Sequence, residues 1–414
     1  MRRISSNMNN STVQMNLRRQ ESVLNKANEQ MGKQQRITQL RDDPIAAGHL
    51  VRYQSYLCRV NDFEKNAKTL SDQFSLREGY INQSLQVMQR VRELAVTGAN
   101  GTYTKDDLKN MATEVNELLG ELIQNANAVG PDGTSLFSGT NTEATAFDAE
   151  MGTVPGAAAP LVENVRYNGN VDKNKVEVDE RQYLDVDNAG NRTFWAEKQQ
   201  LYSDRDASSW QAAQDCVVSI DGANINVAAG DNVYALAAKI NDSGAAVKAS
   251  IDPVTKGLNL TTTDARQLWM QDVNGTTLKD LGLVKDSDQR PPYNLGDSAH
   301  VSGGSLFDTV IALRNSMLSG DQKSIGGRVL NSLDSGIDNL ETRLAKIGSV
   351  YERAQQDVQR NSNTALNVTS LISSEGDLDI TSAITNLKML EYTYQATLST
   401  AGRMYSSTLL NYLK

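Results

Sequence analysis

Toward the C-terminal end of the chain, Leu330, Leu333, Ile337, Leu340, Leu344, Ile347, Tyr351, Ala354, Val358, Asn361, Ala365, Val368 and Ile372 follow one another at alternating steps of three and four. Spacing of that kind, sustained over so many turns, lays one continuous apolar stripe along a helix and predicts a long helix with an extended partner. Asn361 is the one polar position in the stripe, of the sort that fixes register. A second stripe, Ile380, Ile384, Leu387, Glu391, Tyr394, Leu398, Ala401, Tyr405, Thr408 and Tyr412, begins after Gly376 and the acidic stretch from Glu375 to Asp379, which reads as a joint between helices. The N-terminal end mirrors it, with Val13, Leu17, Gln20, Leu24, Ala27 and Met31 at heptad positions. Both chain ends therefore present narrow helical seams that need a partner.

The N-terminal helix is expected to run to Arg41-Asp42-Asp43-Pro44, where Asp43 can cap free amides and Pro44 suits a first helical turn. Tyr53, Leu57, Val60, Phe63, Ala67, Leu70, Phe74, Ile81, Leu85, Met88, Val91 and Ala95 then mark a helix of about fifty residues, about 75 Å long at 1.5 Å per residue. Asn100-Gly101 turns the chain, and Thr104 with Asp107 makes a capping box for a third helix. After Asn127 the composition shifts to turn formers and helical period is lost until about residue 304. Within that stretch, VVSIDGANINV reads as a hairpin turning at Asp221-Gly222-Ala223, Asp231 as the cap of a short helix, and AVKASI and LNLTTT as two further strands.

The fold class implied is mainly α with an inserted β-rich domain, the two termini forming a long antiparallel helical bundle or coiled coil. Three domains are expected: a terminal coiled coil from 1–43 and 375–414, a helical bundle with a β-hairpin from 44–147 and 300–374, and an inserted variable domain from 148–299. With 414 residues the chain is long enough for more than one core. Apolar residues at 39% with aromatic ones at only 6% suit helices packed by aliphatic side chains rather than an aromatic-lined pocket.

A net charge of -9 argues against a general nucleic-acid binder. Residues 1 to 41 depart from it, with eight Lys or Arg against Glu21 and Glu29, and are read as a solvated or partner-facing helix surface rather than a nucleic-acid or membrane arm. Cys58 and Cys216 lie far apart, and His49 and His300 have no local partner at metal-ligand spacing, so no metal site is expected and both cysteines read as small buried hydrophobes. No apolar run reaches membrane-spanning length, and the first twenty residues lack the apolar centre of a cleaved secretory signal, so the chain is expected to be cytosolic or exported by another route. No G-x-S-x-G, H-E-x-x-H, P-loop or G-x-G-x-x-G stands in the chain. Asp42-Asp43 and Asp106-Asp107 could supply acid and base groups, but capping accounts for both pairs. The aromatic residues Phe194, Trp195, Trp210 and Trp269 read as packing of the inserted domain rather than as a ligand platform. The expectation is a structural protein, with no catalytic residue and no cofactor.

Several segments taken together resemble the flagellin superfamily of bacterial axial proteins. They are the opening MRRISSNM, GKQQRITQLRDDPIAA, RVRELAVTGANGTYTKDD with the following MATEVNELLGELIQNANA, LFSGT, and the ending from DLDITSAITNLKML to LLNYLK. The part of the insertion from about 215 to 285 resembles a motif of flagellin variable domains. Gly32-Lys33 is separated from Arg36-Ile37 by Gln34-Gln35, a departure from the family's usual run at that corner. DDPIAA and LLNYL point within the superfamily to the branch that joins hook to filament, with a filament flagellin or a cytosolic coiled-coil scaffold as alternatives.

The resemblance implies a structural adaptor without catalysis, exported through the flagellar type III channel to an extracellular or periplasmic flagellum. Its implied partners are other copies in a ring, the preceding hook-associated protein, flagellin and an export chaperone, with no nucleic acid and no membrane. The assembly interface is expected at Leu17, Leu24, Met31, Ile384, Leu387, Tyr394, Leu398 and Tyr405, and the helix joint at Asp42, Asp43 and Pro44.

Overall fold

The computed structural model describes the backbone of residues 6–186 and 189–410, and the side chains of residues 11–186 and 189–403. Three helices open the chain: α1 (Ser6–Lys33), α2 (Pro44–Gly98) and α3 (Lys105–Ala126). A β-rich stretch follows with β1 (Phe147–Gly152), β2 (Leu161–Tyr167), β3 (Asn174–Asp179), β4 (Gln182–Val186), the short α4 (Gly190–Thr193) and β5 (Lys198–Ser203). It continues through β6 (Cys216–Ile220), β7 (Ala223–Val227), α5 (Val233–Asp242), β8 (Val247–Ile251), β9 (Leu258–Ala265), β10 (Met270–Asn274), α6 (Thr277–Asp280) and β11 (Ala299–Ser302). Helices return as α7 (Leu306–Ser319), α8 (Gln322–Ser324), a π-helical turn at Ile325–Val329, α9 (Leu330–Gly376) and α10 (Ile380–Leu410). The chain is mainly α with an inserted β-rich stretch.

Capping chemistry explains several of the boundaries. The Thr104 side chain accepts from the Asp107 amide at 3.3 Å while Asp107 Oδ2 accepts from the Thr104 amide at 3.0 Å, starting α3. Ser305 and Asp308 repeat the arrangement at α7, which ends at Gly320 with φ +76°, the left-handed conformation glycine adopts at little expense. Two expectations are corrected. The N-terminal helix stops at Lys33, not near Arg41, because Gln34 enters the left-handed region at φ +53°. The cap of α5 is Asn232, whose Oδ1 accepts from the Ala235 amide at 2.9 Å. Asp231 lies one residue too early to reach that amide and instead accepts from Ala228 N at 2.8 Å.

The chain divides into two compact units: Met1–Lys65 with Asp357–Lys414, hereafter the terminal unit, and Asn66–Gln356, the central unit. Two apolar clusters fill the central unit. In the first, Ile81, Met88 and Val91 of α2 meet Val115, Leu119 and Leu122 of α3, Val310 and Leu313 of α7, and Leu333 and Leu340 of α9. Phe147, Tyr167 and Phe194 belong to this cluster, and Phe147 lies with ring centroids 5.4 Å from Phe194 and 5.0 Å from Phe307. The first part of the β-rich stretch thus packs with the helices. LFSGT buries Leu136 and Phe137 there behind a tight turn held by one bridge, Val129 to Ser135.

The second cluster sits between the sheets β11-β5-β9-β8 and β10-β6-β7, each antiparallel throughout, and takes Val218, Ile220, Ile225, Val227, Leu236, Ile240, Leu258 and Leu260. Alternation puts every second strand residue into it. The β6–β7 turn has positive φ at both Asp221 (51°) and Gly222 (82°), the pairing that matches strand twist in a two-residue hairpin. Phe194 and Trp195 are buried, and Trp210 and Trp269 pack against the clusters, so these aromatic rings form core. Cys216 is buried, with Sγ 2.8 Å from Thr277 Oγ1. Cys58, expected to be buried, is exposed. It lies roughly opposite the inward face of α2 marked by Val60 and Ala67, at about 100° of rotation per residue.

Candidate assembly surface

Within the terminal unit, α1 packs along α10, and the end of α1 meets the start of α10, so the two run antiparallel. Val13, Leu17, Gln20, Leu24, Ala27 and Met31 are the half-buried positions of α1 at heptad spacing. On α10 the half-buried line is Ala383, Leu387, Leu390, Glu391, Tyr394 and Thr397, with Ala401 buried. Ile380, Ile384 and Leu398 remain 49%, 46% and 44% exposed. At about 100° per residue Ile384 and Leu398 lie about 60° to one side of the Leu387, Tyr394, Ala401 line, which Ile380 continues one heptad earlier, and this gives α10 a wider apolar face than α1 covers. The side chain of Tyr405 lies outside the described residues.

The balance of apolar surface in this unit is unusual. Neither core cluster reaches it, and its buried apolar residues are Ala46, Ala47, Val60, Val368 and Ala401 among the described residues. Twelve of the twenty-three large apolar side chains exposed among the described residues belong to it, although it holds less than a third of the chain. Scattered exposed apolar residues are ordinary; their concentration on a unit without a core makes this unit the candidate for an interaction surface.

The remaining structure of the unit is a corner where the two chain ends are tied. Arg36 N donates to Gly376 O at 2.8 Å and Leu378 N to Gln34 O at 3.1 Å, a short antiparallel bridge between Gln35 and Asp377. The Arg36 guanidinium adds bonds from Nε and Nη2 to Glu375 O at 3.2 and 2.8 Å, and Gln30 Nε2 donates to Arg36 O at 2.6 Å. A β-carbon on Gly376 would meet Leu50 Cδ2 at 3.1 Å, so glycine lets the helices close here.

Asp42, Asp43 and Pro44 lie on the same corner. Asp42 Oδ1 pairs with Lys26 Nζ at 2.6 Å while Oδ2 accepts from the Thr38 and Gln39 amides. The hydrogen bond from the Lys26 ammonium holds the Asp42 carboxyl below its ordinary range against the opposing desolvation, and the Gln39 and Thr38 amides add to the lowering. Asp43 Oδ1 accepts from the Ala46 amide at 3.1 Å, capping α2 at Pro44, and that bond followed by the Arg36 charge lowers the Asp43 pKa. Asp379 caps α10 through the Ser382 amide, which lowers its pKa as well. Asp42 and Asp43 are visible in the sequence as capping residues. Arg36 is not, because its partner carbonyl stands 339 positions away and no local pattern links them.

The corner is built of carboxylates that accept from backbone amides and pair with cations, beside apolar faces left open. Among the described residues no three His, Cys, Asp or Glu side chains gather as a metal site, and no helix is long and apolar enough to cross a membrane.

Two family models match the chain, "Bacterial flagellin N-terminal helical region" over residues 4–142 and "Flagellin hook IN motif" over residues 217–264. Flagellar hook-associated protein 3 of Escherichia coli K12 is 29% identical over 140 residues, covering 34% of this chain and 44% of that protein. A flagellin of Salmonella muenchen is 25% identical over 270 residues, 64% of this chain and 52% of the relative. The chain thus spans about half the length of the curated relatives it matches or less. A solved flagellar hook associated protein-3 from Legionella pneumophila covers 78% of this chain and 97% of its own, at 14% identity and a TM-score of 0.47.

Proposed function

Because the chain belongs to the flagellin superfamily, a family of structural flagellar proteins, we propose that it is the adaptor that joins the flagellar hook to the flagellin filament. The observation that carries this reading is the terminal unit: two paired helices with an over-wide apolar face, no core cluster, and a corner that fixes where the chain ends point. Apolar faces of this kind are stabilised when neighbouring subunits cover them. In this reading Leu17, Leu24, Met31, Leu387 and Tyr394 hold the pair together, while Ile384 and Leu398, with Tyr405 further along α10, meet other copies in a ring. The chain in this reading is divided into 1–43 with 375–414, 44–147 with 300–374, and 148–299, and the first of these carries the contacts between subunits.

The partners in this reading are the preceding hook-associated protein on one side and flagellin on the other, after passage through the type III export channel with a chaperone. The work is mechanical and uses no bond-making step. The second reading is a filament flagellin, favoured by the long match to the Salmonella muenchen protein. Deletion of the gene separates the two. An adaptor leaves hooks without filaments and flagellin in the culture fluid, whereas a flagellin leaves its neighbouring hook-associated rings intact and releases no flagellin. Filaments of normal number would reject the adaptor role.

A further inference from the structure

We propose that Asn100-Gly101, in the turn between α2 and α3, is a site of spontaneous deamidation, a covalent modification that needs no enzyme and no reagent beyond water. The chain holds three Asn-Gly pairs, Asn100-Gly101, Asn168-Gly169 and Asn274-Gly275, all within the central unit. In such a pair the backbone amide that follows asparagine attacks the asparagine side chain, and glycine obstructs the attack least because it has no β-carbon. By sequence the three pairs are alike; the fold makes them unequal.

Ring closure needs a side-chain amide free to rotate, a following backbone N–H without another bond, and a main chain that can turn between them. The exposed run Asn100, Gly101, Thr102 and Tyr103 meets all three conditions. Among the described residues neither the Asn100 side chain nor the Gly101 amide makes a hydrogen bond. The main chain is tied by Asn100 N to Thr97 O at 3.2 Å and by Tyr103 N to Asn100 O at 3.4 Å, both long for such bonds. Turning Gly101 N toward the side chain therefore gives up little.

The other two pairs are held. Asn168 Nδ2 donates to Asp148 Oδ2, its Oδ1 accepts from Arg166 Nε at 3.2 Å, and its carbonyl accepts from Arg290 Nη1. Gly169 is buried hard against the Tyr167 hydroxyl, which leaves no room for the main chain to turn. Asn274 is exposed, but its main chain lies in β10 opposite Val217 of β6, and a β-carbon on Gly275 would stand 2.6 Å from Cys216 Cβ. Attack there must first open the end of the strand. The expected order is Asn100 first, Asn274 next and Asn168 last.

The step balances with water alone. The Gly101 nitrogen bonds to Asn100 Cγ, the Cγ–Nδ2 bond breaks, and the Gly101 amide proton departs with that nitrogen as ammonia. Water then opens the cyclic imide. Cleavage between the nitrogen and Cγ leaves aspartate, and cleavage between the nitrogen and the Asn100 carbonyl carbon leaves isoaspartate, whose main chain runs through Cγ. Nothing is oxidised or reduced. Either product adds one negative charge to a chain whose net charge is -9 and sets it just past the last carbonyls of α2, where the helix dipole disfavours it. The mark accumulates with the age of the chain, and it does not depend on the adaptor reading.

The test holds the full chain in warm, mildly alkaline buffer and follows each pair by peptide mass mapping, with isoaspartate scored by methyl transfer from S-adenosylmethionine through an isoaspartyl methyltransferase. Asn100→Gln lengthens the side chain so that closure needs a larger ring. Gly101→Ala crowds the attacking amide, while its new methyl makes only an ordinary contact, 3.8 Å from Gln322 Oε1, so the fold is kept. The same chain unfolded in guanidinium chloride is the reference in which all three pairs are free. We expect Asn100 to convert at least tenfold faster than Asn168 in the folded chain, the acidic product to vanish in Asn100→Gln and to form several times more slowly in Gly101→Ala, and the three rates to converge on unfolding. An intact Asn100 in the folded chain, conversion of Asn168 or Asn274 as fast as Asn100 there, or an unslowed Gly101→Ala variant would overturn the site.

Discussion

Replacing Ile384 and Leu398 by glutamate separates assembly from folding. Both side chains are a little under half exposed in the single chain, at 46% and 44%. A fully buried Leu or Ile is worth about 1.5–3 kcal/mol, so each retains about 1 kcal/mol to be gained when a neighbour covers it. Removing both apolar groups therefore weakens each subunit contact by about 2 kcal/mol, which at about 1.4 kcal/mol per decade is more than tenfold. A carboxylate held against an apolar neighbour adds several kcal/mol more. In the free chain the new carboxylates reach water, and the cost, confined to the part of each side chain already covered in the terminal unit, should be about 1 kcal/mol per site and leave the melting of the central unit unchanged. Leu122→Ala supplies the contrast: Leu122 is fully buried in the first core cluster, and its truncation should remove about 3–5 kcal/mol of central-unit stability. The assays are thermal melting by circular dichroism, immunoblotting of the culture fluid, and counts of filaments per cell by electron microscopy. The glutamate double variant should keep the central-unit melting of the parent chain and be secreted as the parent is, yet leave cells without filaments. Normal filament counts, or a melting temperature lowered as far as that of Leu122→Ala, would refute the assignment of this face to assembly.

Arg36→Ala should loosen the corner by about 1 kcal/mol after allowance for its partial exposure, and the Leu378 amide should exchange hydrogen severalfold faster while central-unit amides are unaffected. The depressed pKa values of Asp42, Asp43 and Asp379 give a pH window with a definite sign. Their contribution is fully present above the ordinary value of 3.8 and is lost as pH falls through the lower folded values, so exchange at the corner should accelerate only below about pH 4. Acceleration beginning near pH 6 would implicate other groups. Thr104→Ala, which removes the cap of α3, should destabilise the central unit by about 1 kcal/mol and lower its melting temperature by a few degrees, whereas Thr104→Ser should restore most of the loss. Limited proteolysis of the free chain should cut within the terminal unit first, because it lacks a core cluster; equal resistance of both units would contradict that account.

Local chemistry made much of this protein legible. The three-four spacing from Leu330 to Ile372 and the Gly376 break lie within one chain segment, so the sequence contains all that is needed to place α9 and the start of α10. The Thr104–Asp107 box and the Asp221-Gly222 turn are equally local, being settled by side-chain reach and permitted φ over three or four residues. Where one residue of slack existed, the sequence pointed to the wrong neighbour: Asp231 and Asn232 are both good caps, and the position of Val233 as the first helical residue makes Asn232 the cap. Cys58 illustrates a different limit, since helical periodicity gives spacing but not which flank of a broad stripe meets a partner.

What the tertiary structure alone decided depends on residues far apart in the chain. The tie between Arg36 and Glu375 and the packing of Phe147 and Phe194 with α7 join segments from tens to hundreds of positions apart. No period or motif encodes such meetings, because they arise from how already formed elements bury their faces together. The sequence alone places the long helices, the β6–β7 hairpin, β8 and β9, and the open seams at both ends. The fold determined which faces of those seams are satisfied within one chain and which remain for another.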